Sequence, residues 1–544
     1  MSEQIIIRRG LRLGDLEAET DVELLTECFI DNGELDLLTD VTRPESIILG
    51  RTGAGKSAML LKIQETVENR KILDPNDISI RFLEYSDVVQ FFESIGVNLD
   101  LFYKLLWRHI LTVELLKVRY KLDNEEKSQG LLSRLQELVD RDPVKKEALA
   151  YFREWGDKFW LETEEQLKEV VDKVTTNLQA SIGAPLNGVT ISSEGAKTLS
   201  QEKKSEIVNK ANRFVSRIQI QKLSRILELL EDKVFDDKQK QYYILIDRLD
   251  ENWANTNTRY RFIRALIEEI KTFRKIKNIK ILIALRKDLL NIVINETRDS
   301  GFQEDKNESS FLELVWQKDD LQQLIEKRVS EVYKRQYTKE DIHFDDIFPK
   351  PRKGGGSTAI DYILERTLLR PRDVLQFANE CFSAALNSPR IGWKTISKAE
   401  SSYSEKRLNS LIEEWKGLYP ALSETIEVLR GKPMTISRTS ISESMNSVVE
   451  RLMDYPDDPC GKTVIEYCNS KGNVSDSDLV ATIISCLYKI GAIGVKISTK
   501  EPFKWSNYNH SSLSKAEVLR INQIKIHKML HKTLGIKDNS KFKT

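Results

Sequence analysis

The sequence predicts an α/β protein built on a parallel β-sheet, with a large helical insertion and further helices towards the C-terminus. Two apolar runs predict the sheet. Ile47–Leu49 enters a glycine-rich loop that is followed by an apolar helix, and Tyr242–Ile246 ends directly in acidic residues. Short, continuous apolar runs of this kind are typical of strands that are buried on both faces. A parallel arrangement brings the residues that follow each strand to the same edge of the sheet.

The glycine-rich loop, Gly50 to Ser57, reads G-x-x-x-x-G-K-S and lies between a predicted strand and a predicted helix. A phosphate-binding P-loop requires this setting, because glycines allow backbone N–H groups to turn towards phosphate oxygens. Lys56 supplies a cation for the β- and γ-phosphates, and the hydroxyl of Ser57 is suited to Mg²⁺. The pattern therefore predicts ATP and Mg²⁺ as ligands. The residues predicted to contact the nucleotide are Gly50, Arg51, Thr52, Gly53, Ala54, Gly55, Lys56, Ser57 and Ala58.

The second apolar run delivers carboxylates to the same edge of the sheet. Asp247 directly follows Tyr242–Ile246, and ligands of parallel α/β sheets bind at the C-terminal ends of the strands. We therefore expect Asp247 to hold Mg²⁺ through water beside Ser57. Asp250 and Glu251 follow on the turn, where either carboxylate could polarise the attacking water. We favour Glu251 because of its longer reach.

Two arginines are candidate sensors of the γ-phosphate. Arg286 follows Ile279–Leu285, a further predicted strand, so its cation is expected at the tip of that strand. Arg372 follows Pro371, which suits the first turn of a helix and places the arginine at the N-terminal end of that helix. An arginine of the predicted helix at 256–276 is a further candidate, for completing the site of a neighbouring copy of the chain.

A long stretch separates the two motifs. Leu101–Tyr120 predicts an apolar helix, and residues 124–238 predict charged helices with an aromatic cluster at 151–160. Connections within a compact core are much shorter, so we expect an inserted helical subdomain. A further strand is predicted at Ile78–Leu83. Residues 13–40 predict amphipathic helices that either pack on the core or contact the nucleotide base.

The C-terminal region predicts helices and then a β-ribbon. A helix at Asp476–Ile490 is followed by two strand-like segments, Ala492–Ile497 and Pro502–Tyr508. This order is typical of a winged helix. Residues 496–544 carry eleven Lys and Arg against three Asp and Glu, a charge that favours the phosphate backbone of DNA. Three lysines have the spacing of one helical face: Lys525, Lys528 and Lys532.

These patterns divide the chain into five segments. The sheet core is interrupted by the insertion and is followed by helices that we interpret as a lid. The predicted segments are an N-terminal helical segment (1–45), a P-loop NTPase core (46–100 and 241–318), a helical insertion (101–240), a helical lid (319–400) and a helical and winged-helix C-terminal domain (401–544).

Composition excludes several classes of protein. The chain has 84 Lys and Arg and 84 Asp and Glu, so net charge gives no argument for nucleic acid or a membrane surface. Its five cysteines form no C-x-x-C pair, which is typical of buried thiols in a reducing compartment. The longest apolar stretch, Leu479–Val495, is interrupted by Lys489 and by glycines, so no membrane span is expected. We therefore expect a cytoplasmic protein without a membrane partner.

The order of the motifs resembles that of the STAND and KAP branch of AAA+-related P-loop ATPases. Asp247–Glu251 is similar to the D-x-L-D-E motif of NACHT-type members, Arg286 resembles a strand-end sensor arginine, and Leu369–Arg372 resembles the sensor-2 region of a lid helix. The run Leu245–Trp253, with Arg-Pro-Arg-Asp, is similar to a family of bacterial P-loop ATPases often associated with mobile elements or phage defence. The resemblance covers the core and the lid, and loosely the winged helix, but not the insertion.

The resemblance implies an ATP-hydrolysing molecular switch, in bacterial antiviral defence or regulation, that acts through homo-oligomerisation or an effector partner. The alternative is a DNA-binding ATPase or regulator that uses the C-terminal winged helix. An ABC-type ATPase is disfavoured because no L-S-G-G-Q-like signature precedes Asp247. A small P-loop kinase is disfavoured because such enzymes lack the lid and the winged helix. No nuclease, protease or zinc pattern occurs in the sequence, so an effector activity would come from a partner.

Overall fold

The protein is described from a computed structural model. The described residues are 6–75, 99–121, 201, 205, 227, 228, 230–235, 237, 239–251, 256–297, 305–337, 342–351, 356–469, 474–498, 500–509 and 513–537. They form two compact units, each with its own hydrophobic core. The sheet unit comprises the described residues of 31–51 and 56–314, and the helical unit comprises those of 6–30, 52–55 and 315–537.

The described residues contain two β-sheets. Their strands are β1 (Ile47–Gly50), β2 (Asn69–Leu73), β3 (Tyr242–Ile246), β4 (Ile279–Arg286), β5 (Phe311–Glu313), β6 (Thr435–Ile436), β7 (Ile493–Lys496) and β8 (Gln523–Ile526). Strands β1 to β5 form the sheet of the sheet unit, and strands β6 to β8 form a second sheet in the helical unit.

Helices make up most of the remaining described structure. The α-helices are α1 (Val22–Glu27), α2 (Glu34–Thr39), α3 (Lys56–Thr66), α4 (Asp100–Tyr120), α5 (Thr256–Phe273), α6 (Lys287–Glu296), α7 (Lys318–Gln336), α8 (Phe344–Ile347), α9 (Ala359–Leu364), α10 (Pro371–Ala384), α11 (Trp393–Trp415), α12 (Leu422–Thr425), α13 (Arg438–Ser444), α14 (Val449–Leu452), α15 (Pro459–Asn469), α16 (Asp476–Lys489), α17 (Ser506–Asn509) and α18 (Lys515–Leu519). Further helical turns lie at Leu230–Val234, Asp305–Ser310, Ile426–Leu429, Met445–Ser447 and Lys528–Leu530. Helices α2 to α6 belong to the sheet unit, and the other α-helices belong to the helical unit.

The sheet unit is built on a five-stranded parallel sheet. The strand order is β2–β3–β4–β1–β5, and every neighbouring pair is parallel. The apolar strands β1, β3 and β4 are buried along nearly their whole length, as expected for strands covered on both faces. Because β4 lies between β1 and β3, the C-terminal ends of these three strands reach the same edge. The predicted α/β architecture with a parallel sheet is confirmed.

Helix α4 belongs to the core of the sheet unit, although the sequence analysis assigned it to the insertion. The rings of Trp107 and Phe262, in α5, stack with centroids 4.5 Å apart. The indole N–H of Trp107 also donates to the carbonyl of Phe262 at 2.9 Å. Arg108 pairs with both carboxylate oxygens of Glu269 in α5, at 2.6 and 3.1 Å. A helix that is apolar nearly all round is a buried helix, and this property of α4 indicates a core element.

The sequence analysis does not predict the edge strand β2. Its only consecutive apolar residues are Ile72 and Leu73, and the strand is partly exposed along its length. An edge strand of this kind lacks the continuous apolar run from which buried strands are predicted. The strand predicted at Ile78–Leu83 lies outside the described residues. The same holds for most of the charged helices predicted at 124–238, including their aromatic cluster.

The helical unit packs its helices around one apolar core. The longest helix, α11, lies against α10, where the rings of Phe377 and Tyr403 stack with centroids 4.5 Å apart. Pro371 is the first residue of α10, as predicted. At the start of α7, Asp320 accepts a hydrogen bond from the N–H of Gln317 at 2.8 Å. The local start signal at Pro371 therefore locates α10 correctly.

The antiparallel sheet of the helical unit corrects the predicted C-terminal ribbon. Strand β7 forms as predicted and pairs along its length with β8, whereas the predicted partner Pro502–Tyr508 pairs with it at one position. In the described structure, Lys504 makes an isolated bridge to Val495, and the chain then enters α17. The other edge of β8 pairs with β6, which gives the order β6–β8–β7.

The predicted helical face of three lysines is also wrong. Ile524 and Ile526 are buried in β8 and alternate with Lys525, which is the period of a strand. Lys528 begins a single 3₁₀ turn after the strand. The basic character of the segment had favoured a solvated helix, whereas the alternation of isoleucine with polar residues indicates a strand. The lysines concerned are Lys525, Lys528 and Lys532.

Three further findings concern the described residues as a whole. None of their helices is long and apolar enough to cross a membrane. All five cysteines have free thiols. No group of three or more His, Cys, Asp or Glu side chains that could hold a metal ion occurs within the described ranges.

Candidate nucleotide-binding site

The glycine-rich loop connects the end of β1 to the start of α3. Gly53 and Gly55 have φ values of 77° and 96°, in the left-handed region that other residues rarely adopt. At Gly53, an added Cβ would lie only 2.7 Å from the Cβ of Arg372. The backbone conformation therefore requires both glycines, and the close approach of Arg372 is a second reason for Gly53.

Ser57 lies close enough to Asp247 for its hydroxyl to lower the pKa of the carboxylate as a hydrogen-bond donor. Ser57 lies in the first turn of α3, and Asp247 directly follows β3. The Asp247 carboxylate also accepts the N–H of Arg248 at 2.8 Å. Burial raises the pKa of Asp247, and these two hydrogen bonds oppose that shift. The pair presents oxygen atoms, the ligands that Mg²⁺ prefers.

Lys56 lies against the backbone of its own loop. Its Nζ donates to the carbonyl oxygens of Gly50 at 3.2 Å and Arg51 at 3.1 Å. Burial lowers the pKa of Lys56 to about 8, and the carboxylates of Asp250 and Asp247 oppose this shift. The two predicted acidic positions are therefore close enough to act on the predicted phosphate-binding cation.

The turn after β3 contains a left-handed residue other than glycine. Arg248 has a φ of 60°, a conformation that is uncommon for such residues and occurs often at functional sites. Its guanidinium pairs with Asp74 at 3.3 Å and with Glu251 at 3.7 Å. The side chain of Glu251 is 47% exposed. This carboxylate therefore faces Arg248 and solvent.

Arg286, at the tip of β4, is held by two carboxylates. Its guanidinium contacts both oxygens of Asp288, at 2.5 and 3.1 Å, and one oxygen of Asp250 at 3.5 Å. Among the carboxylates that raise the pKa of Lys56, Asp250 has the largest effect. The structure thus brings Asp250, Lys56 and Arg286 together, and this favours Asp250 over Glu251 as the carboxylate of the site.

A second ion pair at this edge was not anticipated from the sequence. Lys287, the first residue of α6, contacts both carboxylate oxygens of Glu313, at 2.8 and 2.7 Å. Glu313 ends β5 and pairs in register with Leu49 of β1. This strand has only three residues, too short a run for its end and its acidic residue to be recognised from the sequence.

In the helical unit, the predicted sensor Arg372 packs on the loop residue Gly53. The N–H of Arg372 lies 3.4 Å from the carbonyl oxygen of Gly53, and its Nε donates to the carbonyl of Leu16 at 3.2 Å. Burial lowers the pKa of Arg372, and the charge of Arg370 lowers it further. Contact between Arg372 and the γ-phosphate stays a prediction.

Arg370 is a loop contact that the sequence analysis missed. Its Nη1 donates to the carbonyl of Thr52 at 2.7 Å, and its guanidinium pairs with Asp373 at 3.1 Å and Glu414 at 3.0 Å. Arg407 pairs with the same two carboxylates, at 3.6 and 3.0 Å. Burial alone lowers the pKa of Arg370, but Asp373 and Glu414 outweigh this and raise it above its usual value. We call these four charged residues of α10, α11 and the position before α10 the buried charge cluster.

Trp316 is a second loop contact that was missed. Its Nε1–H donates to the carbonyl of Ala54 at 2.7 Å. Its ring lies 3.7 Å from the position that a Cβ of Gly55 would take. No local pattern around this tryptophan indicates a partner in a loop so distant in the chain.

Comparison with known proteins gives two similarities. The family described as "FunZ-associated C-terminal helical domain" matches residues 319–412. This range begins in α7 and ends in α11, and it includes Arg370 and Arg372. The chain is also similar to the "Putative transposon gamma-delta 80.3 kDa protein" of Escherichia coli (strain K12), with 24% identity over 498 residues. That similarity covers 89% of this chain and 61% of the relative, so the chain spans about three fifths of the relative's length.

Proposed function

We propose that the protein binds Mg²⁺–ATP at the loop Gly50–Ala58 and hydrolyses it to ADP and phosphate. The observation that carries this proposal is the proximity of the Ser57 hydroxyl to the Asp247 carboxylate, whose pKa it lowers. The hydroxyl and the carboxylate lie at the C-terminal edge of a parallel sheet, where ligands of such sheets bind. The cation of Lys56 is subject to the same carboxylate, which adds the third group that a phosphate site needs.

The oxygen atoms of Ser57 and Asp247 fit Mg²⁺. This ion prefers hard oxygen ligands and keeps water and phosphate oxygens as its remaining ligands. In the proposed site, the Ser57 hydroxyl and the Asp247 carboxylate are the residues that would hold the ion. Mg²⁺ bound by these residues would neutralise charge on the β- and γ-phosphates.

In the proposed reaction, a water oxygen bonds to the γ-phosphorus while the bond from that phosphorus to the bridging oxygen breaks. ADP leaves with the electron pair of the broken bond. Asp250 accepts the hydrogen bond of the attacking water and takes its proton. Because Asp250 also pairs with Arg286 at 3.5 Å, the guanidinium fixes the orientation of the carboxylate. Lys56 stabilises the negative charge on the phosphates.

Two isosteric variants test this assignment. Asp250→Asn should retain Mg²⁺–ATP binding but lose turnover by about 10²–10⁴-fold, the usual cost of removing a general base. Glu251→Gln is the matched control and should stay within about threefold of the wild-type rate, since Glu251 faces Arg248 and solvent. Phosphate release and equilibrium titration with a fluorescent ATP analogue provide the measurements. If Glu251→Gln loses turnover and Asp250→Asn does not, the general base is Glu251. A wild-type protein that does not bind ATP would refute the proposed function.

We also propose that this ATPase is a molecular switch encoded by, or acting on, a mobile genetic element. In this proposal the ATP-bound state differs from the ADP-bound state in how it associates with a second copy of the chain or with an effector protein. The support is the similarity to the Escherichia coli relative, which is named as a putative transposon protein, and the match to the FunZ-associated family. The Asp250→Asn variant provides an ATP-bound state that does not turn over. Its mass in solution, or that of a co-purified partner complex, should change between Mg²⁺–ATP and Mg²⁺–ADP. An identical mass and an identical set of bound proteins in both states would contradict the switch.

A further inference from the structure

Three successive carbonyl groups of the loop accept hydrogen bonds from residues further along the helical unit. These carbonyls belong to Thr52, Gly53 and Ala54. Their donors are, in this order, Nη1 of Arg370 at 2.7 Å, the backbone N–H of Arg372 at 3.4 Å and Nε1 of Trp316 at 2.7 Å. The first and third contacts have the length of good hydrogen bonds, whereas the second is weak.

The geometry of the peptide bond converts these carbonyl contacts into an arrangement of N–H groups. In a trans peptide, the C=O of one residue and the N–H of the next point in opposite directions. A donor that holds the carbonyl of Thr52 therefore turns the N–H of Gly53 to the opposite side of the loop. In the same way, the contacts on Gly53 and Ala54 orient the N–H groups of Ala54 and Gly55. Successive N–H groups oriented in this way form a concave site for anions.

The contacts of the described residues agree with this arrangement. The N–H groups of Gly53, Ala54 and Gly55 take part in none of the described hydrogen bonds. All three are therefore available to a ligand, while the carbonyls on the other side of the same peptides are held. The left-handed φ of Gly53 and Gly55 lets the chain curve between these peptides.

We propose that Trp316 and Arg370 are positioning residues, which hold the phosphate-binding loop in its binding conformation before the nucleotide arrives. This inference rests on the proposed function. Neither residue needs to touch the nucleotide, because each acts on a carbonyl on the outer side of the loop. Preorganised donors cost no rearrangement when the ligand binds, so their loss weakens binding of any ligand that the loop holds by its phosphates.

The buried charge cluster explains why Arg370 can serve in this way. Its guanidinium contacts Asp373 through Nε and Nη2 and Glu414 through Nη1. Nη1 also donates a hydrogen bond to the carbonyl of Thr52. A guanidinium that is fixed on two sides has few other orientations, so the loop contact requires little further ordering of the side chain.

The first experiment uses Trp316→Phe, which removes the Nε1–H and keeps an aromatic ring. Trp393→Phe is the matched control, because its Nε1 also donates to a backbone carbonyl, that of Lys350 at 3.0 Å, away from the loop. Titration with a fluorescent ADP in Mg²⁺ should show about threefold to tenfold weaker binding for Trp316→Phe, the range expected for one hydrogen bond. Trp393→Phe should bind within twofold of the wild type. Equal affinities of the two variants would overturn the proposal.

The second experiment compares two double variants that each remove one cation and one carboxylate from the buried charge cluster. Arg370→Met with Glu414→Gln deletes the contact to Thr52, whereas Arg407→Met with Glu414→Gln leaves Arg370 and Asp373 in place. The first should bind ADP at least tenfold more weakly, and the second should stay within about threefold of the wild type. Thermal unfolding establishes that both are folded. A similar loss of affinity in the two folded variants would assign Arg370 a structural role and would contradict the proposal.

Two readouts separate positioning from chemistry and from the proposed function itself. The loop contacts phosphates before and during the reaction, so Trp316→Phe should raise KM for ATP more than it lowers kcat. Amide hydrogen exchange at 52–55 in the nucleotide-free protein should be faster in Trp316→Phe than in Trp393→Phe. If the wild type binds ADP but residues 52–55 exchange equally fast in Trp316→Phe and Trp393→Phe, this inference is overturned and the proposed function is not. Failure of the wild type to bind ADP or ATP would instead refute the proposed function.

Discussion

Lys56 and Lys280 are two lysines of the sheet unit that have the same lowered pKa, about 8, and lie at opposite ends of the parallel sheet. Burial is the main cause of the shift in both. Lys280 is the second residue of β4, and its side chain is nearly inaccessible to solvent. Its Nζ contacts three backbone carbonyls, those of Leu37 at 3.4 Å, Asp40 at 2.7 Å and Arg43 at 2.9 Å.

The difference between the two lysines lies in what surrounds them. An ammonium group has three donors, and the three carbonyls around Lys280 occupy all of them. Lys56 donates to two carbonyls of its own loop and is subject to Asp250 and Asp247, which follow a different strand. A shifted pKa therefore does not distinguish a structural lysine from a functional one. What distinguishes Lys56 is that charged groups from the ends of two strands, Asp247 and Asp250 after β3 and Arg286 in β4, act on it.

The largest expected effect separates the two lysines directly. Lys56→Ala should weaken binding of ATP and ADP by more than about 100-fold, because the phosphates lose a charge-assisted partner. It should change the free energy of unfolding by less than about 1 kcal/mol, since the described hydrogen bonds of this lysine go to two carbonyls of its own loop. Lys280→Met should bind nucleotide within about threefold of the wild type and lose roughly 2–4 kcal/mol of stability, because buried carbonyls lose their donor. Nucleotide titration and denaturant unfolding give both quantities.

The opposite outcome would remove the distinction. If Lys280→Met lost nucleotide binding while it remained folded, the two ends of the sheet would be coupled in function. If Lys56→Ala were strongly destabilised, the loss of binding could not be assigned to the missing cation. Each variant therefore serves as the control for the other.

The sequence located the parts of the site that depend on local signals. The apolar run of β1 leads through the glycine-rich loop to Lys56, and those of β3 and β4 lead directly to Asp247 and Arg286, so a motif or a charge at the end of a buried strand marks each position. The edge strand β2 and the strand β8 were missed for a physical reason. The first lacks a continuous apolar run, and the second alternates isoleucine with basic residues that favoured a helical interpretation.

Contacts between segments that are distant in sequence could not be predicted from local patterns. Trp316 and Arg370 contact the loop more than 250 positions along the chain from their partners. Arg370 lies in the run Leu369–Arg372 that resembles a sensor-2 region, but no sequence pattern indicates that either residue contacts a loop carbonyl. Lys280 interrupts an apolar run, which shows that a buried strand can hold a charge but not which carbonyls receive it. The choice between Asp250 and Glu251 also depends on the left-handed turn at Arg248, which no local preference of arginine predicts.

The pH dependence of binding and stability sharpens the comparison between the lysines. Above pH 8 the protonated fraction of Lys56 falls tenfold per pH unit in the free protein. The Kd of Mg²⁺–ADP should therefore be nearly constant from pH 6.5 to pH 7.5 and rise by up to about tenfold per unit above pH 8. Titrations at fixed ionic strength measure this, and a flat profile up to pH 9.5 would contradict the role of the Lys56 cation.

For Lys280, the lowered pKa should affect the pH dependence of stability and not that of nucleotide binding. Its folded pKa is about 8 and its ordinary value is 10.5, so between these values the unfolded chain holds more protons than the folded one. The free energy of unfolding of the wild type should therefore rise between about pH 8 and 10.5 relative to that of Lys280→Met. A parallel course of the two pH profiles would show that Lys280 does not titrate in this window.

The smallest expected effect concerns the basic C-terminal segment, where the switch and DNA hypotheses differ. In the helical unit the ammonium of Lys528 pairs with Glu365, that of Lys515 pairs with Asp478, and that of Lys525 lies 5.6 Å from the ring centroid of Phe503. Cations engaged in this way contribute to the surface of their own unit. We therefore favour the switch over DNA binding.

A charge swap at Lys528 tests this preference. Lys528→Glu places two carboxylates side by side, which should cost less than about 1 kcal/mol because both side chains are partly exposed. In the switch hypothesis it should also raise basal ATP turnover slightly, by about twofold. Adding Glu365→Lys restores the pair with reversed polarity and should return stability and turnover to the wild-type values.

If Lys528 instead contacts DNA, Lys528→Glu should weaken a salt-dependent complex and reduce its salt slope by about 0.9. Glu365→Lys could not restore the charge at position 528, so a loss of DNA binding that this second change fails to rescue would overturn the switch interpretation.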